Sequence, residues 1–410
     1  MNSLLTNSQT SPIFSRVICC QGTIQLAVAI HALFYRQSKI FTNEQPTFKN
    51  YLIVHDLFTQ KNQELAFFEV IKKMAESVLP WEKIIYVDSS MMTQFEEIYD
   101  MEGKVAFDEA VKKKLDLAAP NEVYLSRNWQ KGSIVLLNIF AQATKICYGD
   151  SIGLYFPESY FSDKDWWTRF RLSIVGLRLN YYRKKIQNIL KYPKRTPLLK
   201  VLSLPDFDYG YFCFPNISGT APPFKFETIP IDSLKVTFEK FISHISLETA
   251  VDIDLTKNFS VLLTSNFSEA GRMSCTDELT SYVKFVQSYQ PETTILLIKP
   301  HPRDSKEKIE LLKQRLVAES FTVLVLVNPI HFYIPFEFFL IKLEQTHPAI
   351  IKKIKFFTVS SACLSFWFLF RAKPYIGLGD GLVKQYFRAD QVRGRLAHEK
   401  DLRTLIESSL

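Results

Sequence analysis

The sequence has few cysteines and none of the cysteine patterns that build metal sites or disulfide frameworks. Its 410 residues include six cysteines, which show neither a CxxC pair nor a Cys/His spacing suited to zinc. They stand at positions 19, 20, 147, 213, 275 and 363, mostly in apolar segments. We therefore expect reduced thiols in the core of a cytoplasmic protein.

Long hydrophobic runs are also missing. No stretch approaches the roughly 18 apolar residues of a membrane-spanning helix. The longest run, 356–370, is interrupted by Ser360 and Ser361 and predicts a strand, a turn and a helix. The first twelve residues lack a basic region followed by an apolar one, so we expect no signal peptide. We predict a cytoplasmic location, with peripheral contact at the inner face of the membrane left open.

The glycine-rich loop typical of dinucleotide sites is missing too. Residues 15–20 predict a buried strand, Gln21-Gly22-Thr23 a turn, and residues 24–34 an apolar helix. This order opens a Rossmann-like unit. A single glycine is not the GxGxxG fingerprint, so Gly22 serves either close packing or the approach of a ligand.

Apolar residues, in contrast, are abundant. They make up 47% of the chain and include 34 phenylalanines, which is ample core for two domains. Strand-like and helix-like segments alternate in both halves, as is typical of mostly parallel, doubly wound sheets. We predict an α/β protein with two Rossmann-like domains, residues 1–235 and 236–410. We also predict a terminal helix near residues 398–408, which can pack back across the first domain.

The most informative stretch is Lys299-Pro300-His301-Pro302-Arg303, which follows an apolar strand at 295–298. A strand that stops at prolines brings its last side chains to the carboxyl edge of a sheet, where ligands bind in open α/β folds. The prolines fix the backbone around His301, and the flanking cations add positive charge. This combination favours a site for a phosphate leaving group. The alternative is a proline-rich loop with a surface histidine.

A carboxylate between glycines stands at the end of a predicted strand in the first half. Gly149, Asp150 and Gly153 belong to this turn. A general base must reach a substrate hydroxyl without bulk around it, and glycines leave that room. An ordinary aspartate in a β-turn is the alternative, because this residue type suits turns well.

Further polar residues of the second half stand at predicted strand and helix ends. Ser265 and Asn266 follow a strand at 260–264. Glu337 begins a helix, where it can hydrogen-bond two ribose hydroxyls or simply stabilise the helix dipole. Ser360 and Ser361 begin another helix and provide either an anion cradle or a helix cap.

Residues 163–200 combine aromatic side chains with eleven basic residues against two acidic ones. Such a segment suits an anionic membrane surface or a long acidic substrate. It equally suits a solvated cationic face over a buried aromatic stripe. No recognisable nucleic-acid module accompanies it, and we expect no nucleic-acid partner.

Two strand edges that face each other across an interdomain cleft can hold an acceptor beside Asp150 and a nucleotide-sugar beside His301. The motifs that carry this pattern are Gly149-Asp150, the His301 stretch and the later Ser360-Ser361. Over nearly the whole chain they resemble bacterial sialyltransferases and polysialyltransferases of capsule and lipooligosaccharide synthesis. The resemblance implies a GT-B fold and inverting, metal-independent transfer of sialic acid from CMP-sialic acid.

The resemblance also implies residue roles. His301 would protonate or hydrogen-bond the phosphate of the departing CMP, and Asp150 would deprotonate the acceptor hydroxyl. No cofactor or metal ion is expected, and the partners are a nucleotide-sugar donor and a glycan acceptor. The residues expected at the donor are Lys299, Pro302, Arg303, Ser265, Asn266, Glu337, Ser360 and Ser361.

The turn around Asp150 departs from the family's acidic motif, which is often two acids followed by glycine, or Gly-Asp-Gly. Glu158 and Asp380 are therefore alternative candidates for the base. A second His-Pro pair, His347-Pro348, follows a predicted helix rather than a strand and is set aside.

Two other functions are compatible with the sequence. The first is the same fold with a different nucleotide-sugar donor. The second is a catalytically silent protein that binds a glycan or a membrane through residues 163–200.

Overall fold

The computed structural model describes residues 12–41, 46–156, 206–243, 258–289, 295–326 and 332–409, except positions 58, 61, 118, 129 and 218. Two parallel β-sheets flanked by helices make up this part of the chain. Glu158 and the segment 163–200 lie outside the described residues. No helix in the described ranges has the length and apolar character needed to cross a membrane.

The first domain is built on seven parallel strands. Strands β1 to β7 span Ile13–Cys20, Thr47–His55, Lys83–Val87, Glu122–Leu125, Thr144–Cys147, Tyr209–Phe212 and Lys225–Thr228. Helices α1 to α5 span Thr23–Ile40, Glu64–Val78, Ser89–Glu102, Lys104–Leu115 and Lys131–Ile139. The strand order is β3-β2-β1-β4-β5-β6-β7. Central β1 is apolar on both faces, with Ile18 in one core and Val17 in the other, because helices cover both sides of a parallel sheet.

The second domain is built on five parallel strands. Strands β8 to β12 span Ser260–Leu263, Ile295–Lys299, Thr322–Val325, Lys355–Thr358 and Pro374–Ile376, in the order β10-β9-β8-β11-β12. Helices α6 to α12 span Ile231–Ile242, Cys275–Ser288, Lys306–Ala318, Phe336–Thr346, Ala362–Phe370, Gly379–Tyr386 and Ala389–Glu407. The two doubly wound sheets form the GT-B architecture that the sequence predicts, and this prediction is confirmed.

Helix α6 links the two domains. The first sheet ends at Thr228 and the second begins at Ser260, so the predicted boundary between residues 235 and 236 falls inside this helix. It packs against α1 and α2 on one side and against α9 and α10 on the other. The terminal helix α12 packs on β12, α10 and α11, all of which belong to the second domain.

In both sheets the strand order reverses beside the first strand. β1 lies between β2 and β4, and β8 lies between β9 and β11. A crevice opens at the carboxyl edge where the order reverses, and ligands bind there in doubly wound proteins. The residues delivered to these edges include Gln21, Arg127, Thr264 and Ser360.

The turn after β5 holds Asp150 in a fixed position. The Asp150 and Leu154 amides each donate to the other's carbonyl at 2.8 Å. Gly149 and Gly153 have φ of 78° and 82°, a region that side chains disfavour. A Cβ on Gly153 would stand 2.9 Å from the Cys213 nitrogen. Both the backbone conformation and the close approach therefore require glycine.

Gly153→Ala is expected to lower the free energy of unfolding by about 1–3 kcal/mol, because it adds a steric clash to the backbone strain. Gly219→Ala is the matched control: its φ is 72°, and no described atom lies within 4 Å of the added Cβ. Urea unfolding measures both variants. Equal losses would contradict the proposed clash with Cys213.

Candidate active site

The two carboxyl edges enclose one cavity of about 310 Å3, and both Asp150 and His301 line it. The starts of helices α1, α9 and α10 also reach it, through Thr23, Phe336 and Ala362. The free amides at a helix start carry partial positive charge. Helix starts from both domains therefore favour an anionic ligand in this cavity.

Asp150 is held by two donors from the first domain. The Gln25 Nε2 atom donates to Asp150 Oδ1 at 2.7 Å, and Arg127 Nη2 forms an ion pair with Oδ2. Gln25 is itself oriented, because its Oε1 accepts from the Gln21 amide at 2.9 Å. Each carboxylate oxygen can accept more than one hydrogen bond, so Asp150 keeps the capacity to take a proton from a hydroxyl. Its position is fixed, and it stays the candidate for the general base.

His301 is held at both its backbone and its ring. Its amide donates to Asp304 Oδ2 and to Thr264 Oγ1, each at 2.8 Å. The Arg303 amide donates to His301 Nδ1 at 3.1 Å, which leaves the ring proton on Nε2. Burial, together with Lys299 and Arg303, lowers the pKa of His301 to about 3. At neutral pH this imidazole is an uncharged hydrogen-bond donor.

A buried network of charged side chains supports the loop that carries His301. Lys308 Nζ lies 2.8 Å from Asp304 and from Glu278, and 3.0 Å from Glu269. Burial works against the Lys308 charge, but the Asp304 and Glu278 carboxylates raise its pKa. These three acids are the described group whose spacing could hold a metal ion. The Lys308 ammonium occupies the centre of the three acids. These ion pairs therefore hold the loop that carries His301 in place.

Lys299 and Glu337 are two further titratable residues at the cavity. Lys299 Nζ donates to the carbonyls of Pro300 at 2.9 Å and Phe332 at 2.8 Å. Burial lowers the pKa of Lys299 to about 8, and burial raises the pKa of Glu337. Both residues line the cavity, as Pro302 does.

Ser360 and Ser361 lie where β11 meets helix α10. The Ser361 side chain does not cap the helix. Its Oγ atom lies 2.7 Å from the Oγ of Ser151, across the cleft. Ser360 Oγ lies 3.3 Å from the Thr358 hydroxyl. Ser151, the neighbour of Asp150 in the sequence, therefore contacts Ser361 of the second domain directly.

Other contacts also join the domains beside the cavity. Thr23 Oγ1 donates to the Tyr333 carbonyl at 2.6 Å, and the Phe67 and Tyr333 rings stack with centroids 4.6 Å apart. The Gln60 side chain donates to the Asp304 carbonyl. These contacts fix the spacing between the two halves of the site.

Some predicted residues lie elsewhere. Ser265, Asn266 and Arg303 do not line this cavity in the described part of the chain. The Ser265 amide donates to the Tyr282 hydroxyl at 2.6 Å, so its loop packs on helix α7. Asp380, an alternative base, is exposed on α11 and ion-paired with Lys384 at 3.1 Å.

The sequence pattern missed several residues that complete the site. Gln25, Arg127 and Thr264 all line the cavity, and each contacts Asp150 or the His301 loop. Arg127 follows a strand predicted at 122–126 and Thr264 ends the one predicted at 260–264, so their place at a strand edge is the signal that could have found them. Gln25 lies within an apolar helix, where nothing in the sequence distinguishes it.

Comparison with known proteins gives a family match. A family model described as Alpha-2,8-polysialyltransferase (POLYST) matches residues 36–342. Among curated proteins, no sequence matches this chain.

Several solved structures align with most of this chain at low sequence identity. UDP-GlcNAc 2-epimerase from Methanocaldococcus jannaschii is 10% identical, with a TM-score of 0.43, over 96% of this chain and 99% of that one. The E. coli heptosyltransferase WaaC with ADP is 12% identical, with a TM-score of 0.35, over 97% and 98%. The S. aureus MnaA-UDP co-structure is 10% identical, with a TM-score of 0.44, over 95% and 92%.

The low pKa of His301 predicts a pH effect on stability. Between pH 6.5 and about 3 the unfolded chain binds a proton at this histidine that the folded chain does not, so stability falls as the pH drops. His301→Gln removes the effect, and its loss of unfolding free energy from pH 7 to 5 should be smaller by about 1–2 kcal/mol. Urea unfolding at both pH values measures this, with His347→Gln at an exposed position as the control. An identical pH dependence in His301→Gln and wild type would contradict the buried, neutral imidazole.

Proposed function

Because the chain belongs to the alpha-2,8-polysialyltransferase family, we propose that it transfers sialic acid from CMP-sialic acid to a hydroxyl of a glycan that already carries sialic acid. The chain is a glycosyltransferase, with a nucleotide-sugar donor and a glycan acceptor. The observation that supports the finer proposal is the single cavity that Asp150 and His301 line from opposite domains.

The proposed reaction is one displacement with inversion. Asp150 takes the proton of the acceptor hydroxyl as its oxygen attacks the anomeric carbon of the donor sugar. The bond from that carbon to the phosphate oxygen breaks on the opposite face, and its electron pair leaves with CMP. Gln25 and Arg127 hold both oxygens of the base, so little reorganisation is needed in the transition state.

The phosphate charge that develops on CMP is met by groups of the second domain. The His301 Nε2 proton and the Ser360 and Ser361 hydroxyls, which lie at the positive end of the α10 dipole, are suited to bind phosphate oxygens. Lys299, whose lowered pKa of about 8 still leaves it mostly protonated at neutral pH, adds an ammonium nearby. Fixed donors aimed at a developing charge stabilise the transition state, and a neutral histidine acts there as a hydrogen-bond donor.

The charged groups of the site also favour transfer without a metal ion. Among the described residues, the acids whose spacing could hold a metal ion are Glu269, Glu278 and Asp304, and they surround the Lys308 ammonium. At the cavity, Asp150 is paired with Arg127, and Glu337 lies near Lys299. The carboxylates of the described site are thus matched by the chain's own cations.

The acceptor is proposed to be a surface glycan of the capsule or lipooligosaccharide type. Residues 163–200 carry eleven basic and two acidic residues. A polyanionic glycan or an anionic membrane would be attracted to such a segment, which we propose as a peripheral contact.

A donor screen tests the proposal. Wild-type protein is incubated with CMP-sialic acid, UDP-sugars and GDP-sugars, and release of the free nucleotide is measured with and without a sialylated acceptor. We expect turnover of CMP-sialic acid and a drop of at least about 100-fold in kcat for both His301→Ala and Asp150→Asn, because each removes a group used in the transition state. Asp380→Asn, at an exposed position outside the cavity, is the matched control.

Each other outcome would point to a different function. Turnover of a UDP-sugar instead would assign another donor to the same fold. Full turnover by His301→Ala would refute the role of the imidazole. Binding of liposomes or polyanions, with no turnover and no thermal shift from any nucleotide, would identify a catalytically silent binding protein.

A further inference from the structure

Gln21 is a buried amide whose side chain has no hydrogen-bond partner among the described residues. It is 1% exposed, and both Oε1 and Nε2 lack a partner there. Buried polar atoms are nearly always paired, because an unpaired one loses its bonds to water without replacement. The residue also lines the cavity of the candidate active site. Both atoms are covered by protein, so a group that enters this cavity becomes their partner once the side chain turns toward it.

The position of Gln21 points to the acceptor half of the site. It follows β1 directly, at the point where the strand order of the first sheet reverses. Its backbone amide donates to Gln25 Oε1 at 2.9 Å, and Gln25 Nε2 donates to Asp150 at 2.7 Å. Only one side chain thus separates Gln21 from the candidate base. The groups assigned to the nucleotide phosphate lie on the second domain instead.

The start of helix α1 adds further donors beside Gln21. This helix has no side-chain cap and no acidic residue in its first turn. Thr23 and Ile24, from that turn, line the same cavity. Backbone amides at an uncapped helix start bind oxygen atoms of a ligand. Together with Gln21, these amides form the polar part of the cavity lining that belongs to the first domain.

The hydrogen-bonding groups of the Gln21 carboxamide limit the kinds of ligand that can pair with it. Gln21 offers two N–H donors and one carbonyl acceptor. A carboxylate or phosphate would pair only with the donors and leave Oε1 unpaired. A sugar hydroxyl or an N-acyl amide has both a donor and an acceptor and can satisfy both ends.

We propose that the Gln21 side chain binds the acceptor sugar through a hydroxyl or N-acyl amide close to the hydroxyl that Asp150 deprotonates. This inference rests on the proposed function, because it assumes that the first-domain side of the cavity holds the acceptor. A site built to hydrogen-bond a polar substrate group discriminates strongly when that bond is lost. Gln21 is therefore a specificity-determining residue for the acceptor.

The test compares Gln21→Met with wild type. Methionine keeps the approximate size and removes both hydrogen-bonding ends. Two rates are measured with CMP-sialic acid: transfer to a sialylated acceptor, and hydrolysis of the donor when no acceptor is present. We expect kcat/KM for the acceptor to fall about tenfold or more, mainly through KM, so that the ratio of hydrolysis to transfer rises accordingly.

Gln130→Met is the matched control. Gln130 stands at the start of α5, at the same edge of the first sheet, and its Oε1 also lacks a partner among the described residues. It does not line the cavity, so this variant should keep the wild-type acceptor kinetics.

Thermal unfolding without substrate separates a binding role from a structural one. If Gln21 has no partner within the protein, Gln21→Met should melt at the wild-type temperature or above it. A Tm several degrees lower, or an unchanged acceptor KM, would overturn the inference.

If wild-type protein does not use CMP-sialic acid, the proposed function fails on that result alone. The thermal shift caused by a sialylated oligosaccharide then decides the role of Gln21. Loss of the shift in Gln21→Met and not in Gln130→Met supports the inference. An equal shift in both variants, or no shift in wild type, overturns it.

Discussion

The candidate site depends on the direct contact between the carboxyl edges of two separate sheets. Each edge alone provides half of the proposed reaction: a carboxylate held by Gln25 and Arg127, or an imidazole whose amide is held by Asp304. Hydrogen bonds and a ring stack across the cleft set the spacing between the halves. A change in that spacing would separate the proposed base from the proposed phosphate site even if every side chain kept its local partners.

The electrostatics of the cavity follow from the same arrangement. Strands end and helices begin at this edge in both domains, so the positive ends of helix dipoles converge on one volume. The Lys308 network behind His301 neutralises a cluster of acids that would otherwise repel a phosphate. His301 remains uncharged because desolvation and the nearby Lys299 and Arg303 charges lower its pKa to about 3. The site can therefore receive an anion without holding an excess of permanent charge.

Much of this architecture could be predicted from the sequence. Alternation of apolar strands and helices indicated two doubly wound domains, and the family prediction is confirmed by the match over residues 36–342. The prolines around His301 and the glycines around Asp150 marked strand ends correctly. The donor residues and catalytic roles stay predictions. Contacts between distant segments could not be predicted: Gln25 reaches Asp150 across 125 positions, and no local pattern encodes that pairing.

A crystal structure with an unreactive analogue of CMP-sialic acid tests most directly whether Asp150 and His301 serve one reaction. A phosphate oxygen is expected within hydrogen-bond distance of His301 Nε2, and the open face of the anomeric carbon is expected to be turned toward Asp150. An analogue bound with its phosphate away from His301, or with its anomeric carbon shielded from Asp150, would contradict this expectation.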